Sequence, residues 1–505
     1  MKKLTLLCAL ATSLIGGGYV IAQESEQLTE VTETSIRILG NETYKASDFI
    51  ALYNKTTANL SFGKTGIPTN GTFIVDESFS TGYLNPNAGG ETMNVEIKEG
   101  KTFTVSTRIV GAGGNVANIY GDGTYIVDMT NNESGTSTPL FLHANTIFKN
   151  SAFLNTGSKV TVGGGKTLST EKSYLRLKGN AKLTIGEVDE QGNVVSTGNL
   201  AVYTSQAYKD NNMSWLVAQG NGNVLTINKD STASMGVFHG IKEEYTSTED
   251  GGIDLTVNGT MNVGFNSCSW RKSFAFWGNN VTVGKSGIIN ITDTNAYADM
   301  FIKRSLDNAG TISIATGNNL YMSDNSTLTL REGSDIRTNG VASQKDSVIY
   351  LQHGDYHYTD GVEKNGVTTT GTLANVRVIL EADQKLGGFA LRDGATLTID
   401  LNENALALGG ITVQNGEIFY LILDDFINKS LSVDEDKTFS LQDVQASYKT
   451  DDIDNYMYID DLEWITENGR SYLYSASLAA IPEPAEWAMI FGAIALGFVA
   501  YRRRS

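Results

Sequence analysis

One phrase recurs through the middle of this chain and limits the fold more than any single residue does. It runs aliphatic, threonine, aliphatic, then a Gly or Asn turn, then another alternating piece. The pattern sets in at Met93 and returns as VTVGGGKTLST at 160–170, LTIGE at 183–187, LTINKDSTASMGV at 225–237 and LTVNGTMNVG at 255–264. Further copies are VTVGKSGIINIT at 281–292, AGTISIATGNNLYM at 309–322, STLTLREGSDIRT at 326–338 and ATLTIDLNENALALGGITV at 395–413. Period-two alternation sends the aliphatics to one face and threonine to the other. A Gly or Asn supplies the positive φ of a tight corner.

One such phrase cannot bury its apolar face alone, whereas stacked copies build a continuous inner column. The chain is therefore expected to be all-β: a right-handed parallel β-helix with a β-rich C-terminal cap and a single C-terminal hydrophobic helix. Serial antiparallel sandwiches, which also use short strands and Gly turns, are the competing architecture. The irregular spacing of the phrases favours loops bulging from a solenoid over fixed hairpins. The expected divisions are a signal peptide at 1–22, an irregular or capping segment at 23–92, the repeat region at 93–413, a β-rich cap at 414–480 and a sorting tail at 481–505.

Composition agrees with many turns and few long helices, with Gly 53 against Pro 5 in 505 residues. A formal net charge of -18 with no basic stripe makes nucleic acid a poor partner. Cys8 lies in the leader, so only Cys268 would remain after export, leaving no intramolecular disulfide to rely on. A lone cysteine here reads as a buried small apolar residue.

Both ends carry addresses. Lys2 and Lys3 precede an apolar run from Leu4 to Ile15, and Val20-Ile21-Ala22 is a small-residue exit, so cleavage is expected between Ala22 and Gln23 after passage through the Sec machinery. An uncut signal anchor is the plainer alternative. At the other end, Pro482-Glu483-Pro484 is an extended, helix-stopping tripeptide. The uncharged stretch from Trp487 to Tyr501 would span about 22 Å as a helix, short of a full hydrocarbon layer. Trp487 and Tyr501 sit where interfacial anchors belong, and Arg502, Arg503 and Arg504 follow as a cytoplasmic basic stop.

This order of Pro-Glu-Pro, short apolar helix and triple arginine resembles the PEP-CTERM sorting signal of Gram-negative bacteria that make exopolysaccharide. The resemblance covers residues 481–505. It implies recognition of Pro482, Glu483 and Pro484 by an exosortase-like membrane peptidase, which would release the body to the surface from an inner-membrane tether. A plain single-span anchor would use the same residues. The repeat region resembles, loosely, the passenger repeats of autotransporter adhesins, although a C-terminal membrane barrel is not expected from this sequence. The two resemblances imply an exported, adhesin-like or matrix-associated solenoid whose partners are exopolysaccharide or neighbouring cells.

Three groups of residues are candidates for chemistry. In an extended strand His353, Asp355 and His357 share a face, but the histidines are about 13 Å apart, so one metal could use at most two of the three and would need a further ligand from elsewhere; a polar loop or solvated strand face is the plainer reading. The run Asp451, Asp452, Asp454, Asp460, Asp461 and Glu463 lacks the spacing of a calcium loop and reads as solvated charge. Trp270, Phe274 and Phe276 share one face by alternation, with Trp277 on the other. They could stack on sugar rings or fill the core. No metal or cofactor is expected, and no catalysis. The phrases carry Thr, Ser and Asn outward with isolated charges such as Asp254 and Arg331, and no G-x-S-x-G turn or phosphate loop is present. A secreted polysaccharide lyase or hydrolase is the alternative, and would require charged side chains converging from adjacent coils.

Overall fold

The structure, a computed structural model, describes residues 29–479 apart from 64–69, 87–91, 110–115, 129–138, 150–151, 155, 172–174, 203–214, 243–251, 265–274, 293–297, 324, 353–355, 360–361, 366–374, 393–395, 414–419, 425, 435–440, 442–443 and 450–455. Among the described residues, antiparallel pairs are confined to the two ends and to two hairpin insertions, and the strands of the body do not fold back on their chain neighbours. Each pairs in parallel with the equivalent strand of the next coil, so the chain is a parallel β-solenoid. The sandwich alternative is set aside by these pairings.

Each coil has three faces. The first face begins with Thr43–Lys45, Thr72–Val75 and Thr92–Ile97, all paired in parallel. It continues through Lys159–Val162, Lys182–Ile185, Asn223–Ile227 and Ile253–Val257. Thr327–Leu330, Asn375–Leu380, Thr396–Asp400, Tyr420–Asp424 and Val444–Lys449 complete it. The second face stacks Lys166–Thr170, Gly198–Val202, Thr232–Met235, Thr260–Val263, Ile288–Ile291, Thr311–Ile314 and Asp335–Arg337. The third stacks Leu175–Lys178, Trp215–Gln219, Val237–Lys242, Leu320–Met322, Val348–Gln352, Gly388–Arg392 and Ile411–Val413. Strands Phe276–Val283 and Met300–Asn308 run over the corner from third face to first, with a register shift at the bend.

The recurring phrase explains the ladder. Leu183, Leu225, Leu255, Val281, Leu306, Leu328 and Val378 stand in register as one interior file, each at most 1% exposed. Burying each such side chain contributes about 2 kcal/mol. Outside, Thr161, Thr184, Thr226, Thr256 and Thr282 form the matching file of hydroxyls. Asn180, Asp230 and Asn325 hold left-handed φ values of 59°, 61° and 56° at tight turns between strands. Where strand Val116–Val127 bends, Gly121 has φ 114°, and an added Cβ would strike the carbonyl oxygen of Ile97 in the coil below.

The coils begin before Met93. Ser35–Ile38, Asn59–Phe62 and Phe79–Pro86 are already paired in parallel, and Glu30–Thr32 folds antiparallel onto the first of them. The eight-residue helix Ala46–Tyr53 interrupts their alternation. It buries Ala46 and Phe49 and ends at Asn54 in the left-handed conformation. Past Val413 the parallel ladder also continues, then reverses. Tyr456–Ile459 pairs antiparallel with Val444–Lys449, Arg470–Ser475 with Leu431–Asp434, and Leu462–Glu467 with Arg470–Ser475. Reversed pairing closes the strand edges that a further parallel coil would use.

Among the described residues no helix is long and apolar enough to cross a membrane. Ala22, Gln23, Pro482, Glu483, Pro484, Trp487, Tyr501, Arg502, Arg503 and Arg504 lie outside the described residues, as does Cys268.

Candidate functional site

The third face carries a file of rings. Parallel register places His239, Trp277, Phe301, Tyr321 and Tyr350 at equivalent outward positions of successive coils. His239 and Trp277 have centroids 5.4 Å apart, Trp277 and Phe301 5.4 Å, and Tyr321 and Tyr350 5.1 Å. Trp215 extends the file by stacking on His239 at 6.4 Å with planes 16° apart. Local sequence sets the direction of each ring. Phe238, Phe276, Met300, Ile302 and Ile349 point inward and are fully buried, so the neighbour one residue along must point out.

Phe276, a candidate for sugar stacking on sequence grounds, is an interior residue: it is fully buried with its ring 4.8 Å from that of Phe238. Trp277 takes the outward place instead, because the interior file of the third face passes through Phe276. Trp270 and Phe274 lie outside the described residues. His239, Trp277 and Tyr350 are half-buried, whereas Phe301 is 1% and Tyr321 8% exposed. A signal for this file exists in the sequence: the pairs Phe238-His239, Phe276-Trp277, Met300-Phe301, Leu320-Tyr321 and Ile349-Tyr350 each join an inward apolar residue to an outward ring. Only Leu320-Tyr321 falls within a copy of the threonine phrase, the one at 309–322. Half-buried aromatic faces at coil spacing offer an uncharged, polarizable surface able to stack on the C–H faces of sugar rings.

Charged groups are organised differently. Asp400 and Asp424 are in register on consecutive coils of the first face. Arg377, one coil earlier, places Nη2 2.6 Å from Asp400 Oδ2 and 3.3 Å from Asp424 Oδ2. Asp424 is 7% and Asp400 15% exposed at the side chain, so the guanidinium balances charge that water reaches poorly. Asp400 Oδ1 is buried without a hydrogen-bond partner. Arg331 makes a two-pronged pair with Asp307 of the preceding coil, Nε to Oδ1 2.6 Å and Nη2 to Oδ2 3.0 Å, and Asp254 accepts from Asn280 Nδ2 at 2.7 Å.

Of the acidic run, Asp460, Asp461 and Glu463 are described. Asp451, Asp452 and Asp454 lie outside the described residues. Asp461 pins the chain's exit from the last strand: its Oδ1 accepts from Ser475 Oγ at 2.5 Å and Ser477 Oγ at 2.9 Å, and its Oδ2 from Ser477 N at 2.7 Å. These bonds, the Ser475 hydroxyl first, hold its pKa below the ordinary carboxylate value. His353 and Asp355 lie outside the described residues, and His357 belongs to a two-stranded hairpin, Tyr356–Thr359 with Val362–Asn365. Among the described residues no group of three or more His, Cys, Asp or Glu side chains could hold a metal ion. No family model, curated protein or solved structure matches this chain.

Proposed function

We propose that this chain is an exported solenoid, displayed at the cell surface or in the extracellular matrix, with structural and adhesive rather than catalytic work. Its partners are exopolysaccharide or the surface of a neighbouring cell. The observation that carries this reading is the aromatic file His239–Trp277–Phe301–Tyr321–Tyr350, a line of rings without formal charge on a chain whose net charge is -18. His239, Trp277 and Tyr350, the half-buried members of the file, spread the reachable ring surface over several coils and favour an extended polymer over a compact ligand. The coil is taken to be right-handed, the hand that nearly all parallel crossover connections adopt.

Export is supported by the two chain ends. The leader is cut between Ala22 and Gln23, and the PEP-CTERM-like tail tethers the body to the inner membrane through a helix anchored by Trp487 and Tyr501. An exosortase-like peptidase then recognises Pro482, Glu483 and Pro484. Mass spectrometry of the surface pool from the native cell tests this. Loss of everything beyond Pro484 supports the reading, and surface protein that retains Arg502, Arg503 and Arg504 defeats the sorting step.

A second reading, polysaccharide cleavage, has one observation in its favour: Arg377, Asp400 and Asp424 converge from three consecutive coils. A fall in polysaccharide viscosity that Asp400→Asn abolishes would favour it.

A further inference from the structure

Away from the aromatic file, the first face holds a polar cluster that the solenoid has no structural need to build in this form. Gly163 N–H donates to Leu142 O at 3.1 Å, which sets Gly163 and Gly164 over His143 of the preceding coil. Two glycines leave a gap in the outward surface there. A Cβ on Gly163 would strike Glu187 Oε2 and Ser196 Oγ, so the gap is the space that these side chains occupy. They arrive on a two-stranded hairpin, Glu187–Val188 with Val194–Ser196, that leaves the coil between first and second faces.

Inside the gap His143 Nε2 lies 3.0 Å from Glu187 Oε2, Ser196 Oγ donates to the same oxygen, and Gly164 N–H donates to Ser196 Oγ at 2.9 Å. Serine, carboxylate and imidazole together invite comparison with a hydrolase. The order is wrong for one: Glu187 stands between Ser196 and His143, so the hydroxyl proton faces a carboxylate already engaged, and the imidazole cannot take it. What the arrangement leaves available is Glu187 Oε1 and His143 Nδ1, neither with a protein partner among the described residues, on side chains 21% and 33% exposed.

Aromatic surface adjoins them. Phe141 lies two residues back on the same outward row with its ring 6.3 Å from the imidazole, and Tyr120 faces His143 in register from the preceding coil. Both are half-buried. We propose that Tyr120, Phe141, His143 and Glu187 form a site for one uncharged pyranose unit of a glycan. Its C–H face lies on Phe141 and its neighbouring hydroxyls bond to Glu187 Oε1 and His143 Nδ1. A fixed ring and two hydrogen-bonding groups, one a carboxylate that only accepts, suit a sugar hydroxyl pair. The same carboxylate repels uronates and sulfated sugars. This site deepens the glycan-facing reading above and rests on it.

Saturation-transfer NMR on the full-length protein in mild detergent tests the site, with the methyl pyranosides of glucose, galactose, mannose and N-acetylglucosamine as probes. At least one should receive saturation. Phe141→Ala and Glu187→Gln should each weaken its binding about ten-fold, the loss expected when one contact to a charged or aromatic group is removed. Trp277→Ala should leave it unchanged. Transfer lost in Trp277→Ala but kept in the other two overturns this site while leaving the glycan-facing reading standing. No transfer to any probe, or equal loss in all three variants, also overturns it. The export reading is judged separately, by the termini of the surface pool.

Discussion

Gln344 and Gln384 meet inside the solenoid, Gln344 Nε2 donating to Gln384 Oε1 at 2.9 Å, where the second face has lost a strand. Between Asp335–Arg337 and Gln384–Leu386 the chain offers a single turn of 3-10 helix, Gln344–Asp346, in place of a paired strand. The Gln344 side chain fills the role of the missing peptide group. Its Oε1 accepts from Ile336 N at 3.0 Å, and its Nε2 also donates to Lys385 O at 3.2 Å. Gln384 in turn donates to Arg331 O at 3.0 Å.

Removing that amide should therefore cost more than an ordinary surface change. Gln344→Ala leaves the buried Ile336 N–H without its acceptor, and we expect a loss of about 2–3 kcal/mol. Urea unfolding with hydrogen exchange at Ile336 measures it. Unchanged protection there would show that water replaces the side chain.

The interior and exterior files make a matched pair of tests. Leu255 is 1% exposed and Thr256, its neighbour, faces out. Leu255→Ala should destabilise by about 2–5 kcal/mol, and Thr256→Ala by no more than about 0.5 kcal/mol. Equal effects in chemical denaturation would contradict the assignment of faces.

Gly121 combines a left-handed φ with backbone contact to the preceding coil. Gly121→Ala should cost upwards of about 1–2 kcal/mol, and more than Gly100→Ala, where φ is 70° but no atom lies within 4 Å. The comparison of the two midpoints isolates steric collision from backbone strain.

Asp461 gives a pH dependence with a definite sign. Its pKa is lowered in the folded chain, so the stabilisation it provides is fully present above the unfolded carboxylate value of about 3.9 and fades as pH falls through the lower folded value. Protection of the Ser477 amide should hold down to about pH 4 and decline below it. In Asp461→Asn that decline should disappear. A decline unchanged by the substitution would assign it to another group.

Arg377→Gln should destabilise by about 2 kcal/mol, because it leaves Asp400 and Asp424 facing each other across one coil step. The figure allows for a guanidinium that is 41% exposed and partly screened by water. Coupling between Arg377→Gln and Asp400→Asn in a double-mutant cycle is the measurement.

Much of this architecture was legible in the threonine phrase. Its alternation assigned Leu255 inward and Thr256 outward, and its Gly and Asn positions anticipated the left-handed residues at Gly186 and Asn402. The earliest coils escaped because the helix Ala46–Tyr53 breaks the period between their strands. For Phe276 alternation left sugar stacking and core filling open, and it fills the core. The Arg377, Asp400 and Asp424 cluster depends on register between coils separated by insertions of unequal length, and composition carries no record of register.

The corner insertions have a consequence for how such a protein can change over time. The hairpins at Glu187–Ser196 and Tyr356–Asn365 pair their strands with each other, while the coil strands that precede them keep their inward residues to their own file. A lineage could lengthen, trade or delete these appendages without renegotiating the interior, and so acquire new surroundings while its spine stays the same.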